Sequence, residues 1–267
     1  MYYRSGKICI LGAGNVAWNM AQALHNAGYS IGQIFSRTAG SAVPLARSVG
    51  GRSVVRFEDI EPGADLYIIA LADDVIDYCL SCFDPGNSMV VHTAGSVSLD
   101  IFKGRAVNYG VFYPLQTFSK KRLADFSSVP LCIEANNNDN LAFLYSLAGS
   151  VTKKVYHTDS RQREVLHLAA VFANNFSNHM YHIAELLISN KGLPFDILHP
   201  LIKETSDKAS VMSPGDAQTG PAVRNDRRII EKHLNLLSSY SDEKELYKLI
   251  TESIRKKYES GRGKDKD

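Results

Sequence analysis

Short apolar runs bounded by turn residues recur along the first 157 residues, at 7–11, 30–35, 52–55, 66–70 and 88–91, then at 106–111, 129–133 and 151–156. Each has the length of a buried strand, and the weak alternation of apolar and polar positions suits a parallel sheet covered on both faces. Between the first two runs, Val16 to Ala27 repeats at helical spacing and Gly28 closes it. Glu61-Pro62-Gly63 and Asp84-Pro85-Gly86-Asn87 supply turns ahead of the fourth and fifth runs. Strand and helix alternating at this spacing predict an α/β domain built on a doubly wound parallel sheet.

The pattern changes near residue 158. Asp159 and Gln162 form a capping-box pair, and nothing breaks a helix from there to Asn190, where Gly192 and Pro194 end it. That predicts a rod about 46 Å long. Its stretch Leu166–Ala173 is apolar on nearly every face, which predicts burial on all sides, as the spine of an all-α second domain. Further helices are expected from Pro200 towards Met212, after the cap Asp226, and from Asp242 to about Tyr258. The expected division is 1–157 for the α/β domain, 158–259 for the helical domain, and a charged, disordered tail at 260–267.

The length of 267 residues fits two domains. No run approaches the ~18 apolar residues of a membrane span, and the N-terminus lacks the hydrophobic region of a signal peptide. Four cysteines are too few for a secreted disulfide scaffold, so the expected setting is the cytoplasm. Cys79-x-x-Cys82 reads as two small apolar residues one turn apart rather than as a redox or metal pair, and no metal site is expected. The net charge of +2 hides an asymmetry. Arg4, Lys7, Arg37, Arg47, Arg52 and Arg56 precede the first acid, Glu58, leaving 24 basic against 28 acidic groups in the remainder. An acid-free N-terminal segment points to a polyanionic ligand there. Lys120-Lys121-Arg122 reads as a solvated turn, and mixed signs near the C-terminus argue against a nucleic-acid partner.

The ligand is specified by Gly12-Ala13-Gly14-Asn15-Val16-Ala17, a G-x-G-x-x-A motif between the first strand and the first helix. Gly12 permits the tight turn, Gly14 lets a pyrophosphate approach the backbone, and Ala17 lets helix and strand pack closely. The helix start holds the phosphates. This is the dinucleotide fingerprint of a Rossmann-like domain. An NAD site carries an acid at the end of the second strand. Here that strand ends Ser36-Arg37-Thr38, where Arg37 suits a 2′-phosphate and Ser36 and Thr38 add neutral donors. The expected cofactor is NADP(H).

These motifs, with Ala70-Leu71-Ala72-Asp73-Asp74 and the long helix, resemble the 6-phosphogluconate dehydrogenase-like superfamily, which includes hydroxyisobutyrate dehydrogenases, pyrroline-carboxylate reductases and deazaflavin-dependent NADP reductases. Four pieces carry a narrower resemblance: His92-Thr93-Ala94-Gly95, Tyr113-Pro114-Leu115-Gln116-Thr117-Phe118, His167-Leu168-Ala169-Ala170 and Gly220-Pro221-Ala222-Val223-Arg224-Asn225-Asp226. Together they resemble an NADP oxidoreductase family that joins a Rossmann-like domain to a helical domain of unknown function. The resemblance implies that Leu71, Ala72 and Asp73 run beside the nicotinamide ribose and that His92, Thr93, Ala94 and Gly95 approach the nicotinamide. It also implies a homodimer through the helical domain.

One departure is informative. Hydroxyisobutyrate-type enzymes carry a catalytic lysine three residues before an Asn pair on the long helix. Here Asn174-Asn175 is present, but that position is Val171. His167, one turn earlier, shares its helical face and can exchange a proton near neutral pH. It is the first candidate proton donor, with a histidine bonded in a helix interface as the competing reading. His92 is the second candidate. Asn174 is a candidate to hold a substrate oxygen or the nicotinamide amide, and Gln116 and Arg224 are candidate substrate contacts. The expected function is an NADP-dependent oxidoreductase acting on a small molecule. The competing class is a non-catalytic NADP-binding sensor, which Val171 favours.

Overall fold

The computed structural model describes residues 6–262. The strands are β1 (Lys7–Leu11), β2 (Ser30–Phe35), β3 (Arg52–Val54), β4 (Leu66–Ile69), β5 (Met89–His92), β6 (Asn108–Pro114), β7 (Leu131–Ala135) and β8 (Val155–His157). Among the described residues they make one sheet in the order β3-β2-β1-β4-β5-β6-β7-β8. β1 to β6 pair in parallel. Alternate residues of β1 enter opposite cores, as a sheet covered on both faces requires. Ile8 and Ile10 pack with Met20, Leu24, Phe112 and Leu144, and Cys9 and Leu11 pack with Tyr67, Ile76, Val90 and Phe102.

The parallel sheet is as expected except at one joint, where β7 runs antiparallel to β6. A parallel neighbour needs a crossover, usually a helix. The connection here carries only the short 3₁₀ turn Phe126–Ser128, so the chain comes back beside itself. β6 also continues to Pro114, past its expected end, and so carries Tyr113 into the sheet.

The first unit contains α1 (Asn15–Asn26), α2 (Ala39–Ser48), α3 (Ile76–Cys82), α4 (Asn138–Gly149) and α5 (Ser160–Ala170). Cys79 of α3 is fully buried, and burial pushes its thiol up to about 12. Cys79 packs into the core with Tyr67, Ile76 and Leu80, and all four cysteines are free thiols.

The capping box at Asp159 and Gln162 forms as expected. α5 passes into a π-helical segment, Val171–Phe176, and then into α6 (Ser177–Ser189). The chain divides into compact units between Phe176 and Ser177, not near 158. The reason is that α5 is bonded into the sheet. The Arg163 guanidinium pairs with Glu134 of β7, and its Nη2 donates to Ser160 Oγ at 3.2 Å. Ser160 Oγ donates to Glu134 at 2.9 Å and accepts from the Leu99 N–H at 2.9 Å.

The expected burial of Leu166–Ala173 on all sides is not met within one chain. Leu166 packs against Val111 and Tyr113, but Leu168, Phe172 and Phe176 are 57%, 62% and 49% exposed.

The second unit continues with α7 (His199–Val211), α8 (Pro214–Ala217), α9 (Pro221–Arg224), α10 (Arg227–Leu236) and α11 (Ser241–Arg262). Asp226 caps α10 by accepting from the Ile229 N–H. α11 runs past the expected end near Tyr258, through the start of the expected tail; residues 263–267 lie outside those described. Among the described residues no helix is long and apolar enough to cross a membrane.

Candidate functional site

At the carboxyl end of β1 the chain turns through Gly12 at φ 136°. A Cβ there would stand 2.2 Å from the Ala70 carbonyl oxygen, because Gly12 is wedged between β2 and the end of β4. Its N–H donates to Phe35 O at 2.9 Å. Gly14, the N-cap of α1, has no side-chain cap, and a Cβ there would meet open space. Ala13 and Ala17 are buried, whereas Gly14 and Asn15 are exposed. The first N–H groups of α1, from Asn15 and Val16 onward, therefore face an open approach and carry the positive end of the helix dipole. This is an anion cradle, and it fits a pyrophosphate.

Ser36, Arg37 and Thr38 follow β2, with Arg37 exposed. The first acids of the chain are engaged elsewhere. Glu58 pairs with Arg56 at 3.3 Å, and Glu61 pairs with Arg52 at 3.2 Å and Lys7 at 3.6 Å. Leu71, Ala72 and Asp73 follow β4, and Thr93, Ala94 and Gly95 follow β5. The two segments are tied together, since the Ser96 hydroxyl donates to the Asp73 carboxylate. Thr93 N donates to Ile69 O at 3.1 Å. The expected cofactor residues thus line the carboxyl ends of four adjacent strands.

His167 and Gly95 meet. A Cβ on Gly95 would stand 2.5 Å from His167 Nδ1, so only glycine leaves room for the ring. Nδ1 also lies 3.1 Å from the Tyr113 hydroxyl. Burial, then the neighbouring Cys132 and Asp73, push Tyr113 up to about 12, keeping its hydroxyl protonated. Around this pair lies a cavity of about 380 Å³. Leu115, Leu166, Ala170 and Val171 give it apolar walls, and Gln116, Thr117 and Asn174 give it neutral polar groups. Gln116 Oε1 accepts from the Thr117 N–H at 2.8 Å.

His92 does not join this cavity. Its side chain is fully buried and stacked on Phe102 at 5.5 Å, and Nδ1 accepts from the Ala94 N–H at 3.2 Å. Burial, then the charge of Arg163, bring its pKa down to about 3. The ring is a neutral core group, and its expected role as a second proton donor is withdrawn. Arg224 is exposed on α9, in the second unit. Tyr113 is the group that sequence reasoning passed over. Its motif was visible, but the expected strand stopped short of it.

Two family models match the chain. "NADP oxidoreductase coenzyme F420-dependent" covers residues 7–94, and "Domain of unknown function (DUF2520)" covers residues 129–254. No curated protein matches by sequence. Among solved structures, the "putative NADP oxidoreductase" of Bacteroides fragilis is 41% identical, covering 95% of this chain and 99% of its own, with a TM-score of 0.89. An imine reductase from Myxococcus stipitatus in complex with NADP+ is 14% identical, covering 97% and 95% of the two chains with a TM-score of 0.64. A 1-pyrroline-5-carboxylate reductase from Streptococcus pyogenes is 12% identical, covering 95% and 100% with a TM-score of 0.63. The last two share the fold. With 41% identity over nearly its whole length and both models in order, the chain belongs to the NADP oxidoreductase family in which an F420-dependent-type coenzyme domain precedes a DUF2520 domain.

Proposed function

We propose that this protein is an NADP-dependent oxidoreductase that reduces a carbon–oxygen or carbon–nitrogen double bond of a small molecule. Gly12 to Ala17 and the first turn of α1 would hold the pyrophosphate. Ser36, Arg37 and Thr38 would hold the 2′-phosphate, in a segment with no competing acid. Leu71, Ala72 and Asp73, with Thr93, Ala94 and Gly95, would flank the nicotinamide and its ribose. When bound, NADPH supplies the hydride.

The observation that carries the catalytic part is the seating of His167. Its ring rests on the Gly95 backbone and is bonded to Tyr113 on the wall of an apolar cavity. An imidazole exchanges a proton near neutral pH. Tyr113, held protonated, fixes the ring and offers the substrate a donor. Asn174 and Gln116 would orient the substrate's polar atom. Four free thiols suit a reducing, cytoplasmic setting. The exposed apolar row Leu168, Phe172 and Phe176 supports a homodimer.

The test has two stages. Fluorescence titration should show NADPH binding at least about tenfold tighter than NADH; equal binding would remove the Arg37 assignment. NADPH oxidation over a panel of aldehydes, oxo acids and imines should then reveal turnover that falls by about 10²–10⁴ in His167→Ala. Val171 lies on the cavity wall, at the position that matches the catalytic lysine of hydroxyisobutyrate-type enzymes, and favours a second reading, a non-catalytic NADP sensor. Tight NADPH binding with no turnover across the panel would select it.

A further inference from the structure

The segment from Leu115 to Ser128, between β6 and the end of the 3₁₀ turn, forms a strap that touches two places at once. At its start, Leu115, Gln116 and Thr117 line the His167 cavity. Just beyond, Ser119 to Ala124 is fastened to α1 by one side chain. Asn19 is 2% exposed. Its Nδ2 donates to Asn15 O at 2.9 Å, within its own helix, and to Ser119 O at 3.1 Å. Its Oδ1 accepts from the Ala124 N–H at 2.8 Å. Both amide N–H groups and the carbonyl are thereby used. Lys120 Nζ lies 5.8 Å from the ring of Trp18, next door on α1, and Phe118 stacks on Phe126 at 5.7 Å to close the strap on itself.

Asn15 O, the intrahelical anchor, belongs to the first residue of α1, at the open anion cradle. One side chain thus spans from the cradle's helix to the strap, and only Phe118 separates the fastened part from the cavity wall. We propose that Asn19 is a positioning residue that couples occupancy of the α1 N-terminus to the cavity wall Leu115–Thr117, so that NADPH binding sets the wall against which the second substrate docks. The inference rests on the NADP reading of the cradle. Linkage makes the coupling reciprocal, so a filled cavity must in turn tighten NADPH.

Hydrogen exchange of the full chain, measured by mass spectrometry on the 115–125 segment, tests this. NADPH saturation is followed independently by energy transfer from Trp18, the chain's one tryptophan. In the wild type, saturating NADPH should slow exchange of this segment by about tenfold. In Asn19→Ala the ratio of free to bound rates should collapse towards one. A residue that merely fastened the strap would raise both rates and leave their ratio intact, and that result overturns the proposal. So does wild-type protein that binds NADPH while the segment's exchange is unchanged, which leaves the cofactor reading standing. Failure to bind NADPH at all defeats the cofactor reading and this inference with it. Should Asn19→Ala not fold, Asn19→Asp keeps the acceptor for Ala124 and loses both donated bonds, to Asn15 O and to Ser119 O; there the ratio should fall by at least half, and an unchanged ratio counts against the proposal.

Discussion

Gly12 and Gly14 belong to one motif but answer to different constraints. Gly12 has a positive φ and no room for a Cβ. Gly12→Ala should therefore cost about 2–4 kcal/mol of stability, read by chemical denaturation. Gly14 is extended and faces open space. Gly14→Ala should change stability by less than about 1 kcal/mol while weakening NADPH binding by at least about tenfold, since its methyl would stand in the pyrophosphate's approach. His92 adds a pH signature. Its folded pKa, near 3, lies below that of the unfolded imidazole. The unfolded chain therefore takes up the proton first, and this stability is fully present above about pH 6.5 and is lost as pH falls towards 3. Denaturation midpoints should show up to about 1.4 kcal/mol lost per pH unit in that window, and His92→Asn should lack this component. The motif glycines were legible because a tight turn and a phosphate approach are local demands, met within six residues. The Tyr113–His167 bond was not, because it joins residues far apart through the end of β6 and the packing of α5.

At the scale of elements, the strands and the capped start of α5 followed from apolar runs and one N-cap pair. The reversal at β7 did not, because apolar runs carry no direction. The π-helical segment at 171–176 was also hidden, since a change of hydrogen-bond register leaves the sequence pattern apolar either way. What ties α5 down is electrostatic. Arg163 is 1% exposed at its side chain and Glu134 is 12% exposed. Removing one member of a buried pair strands the other's charge. Arg163→Met should lower stability by about 3–5 kcal/mol in denaturant unfolding. It should also reduce turnover by loosening His167, one turn along the same helix. In Arg163→Met with Glu134→Gln, the loss should shrink because no charge is left unpaired.

For the whole molecule, the charge split and the two-part composition were readable, but the burial of the long helix was not. An apolar surface calls for a cover, and a sequence does not say whether one's own chain or another supplies it. Leu168, Phe172 and Phe176 recur every fourth residue and remain exposed. With the homodimer proposed above, light scattering should give a mass near twice 29.5 kDa. Leu168→Glu together with Phe176→Glu should shift it to the single-chain value at micromolar concentration. A wild-type monomer would reject the dimer.

The antiparallel joint between β6 and β7 bears on how this protein can be taken apart. The segment 129–254 recurs as a sequence unit, yet its first strand is hydrogen-bonded to β6 from Gly110 to Pro114, outside that unit, and Glu134 within it anchors the helix that carries His167. Expressed alone, such a segment would present the bare edge of β7 and lose the tyrosine that holds its histidine. A graft onto a foreign nucleotide-binding domain would have to bring β6 with it. The heritable module starts at residue 129, inside the first compact unit, whereas the second compact unit starts only at Ser177.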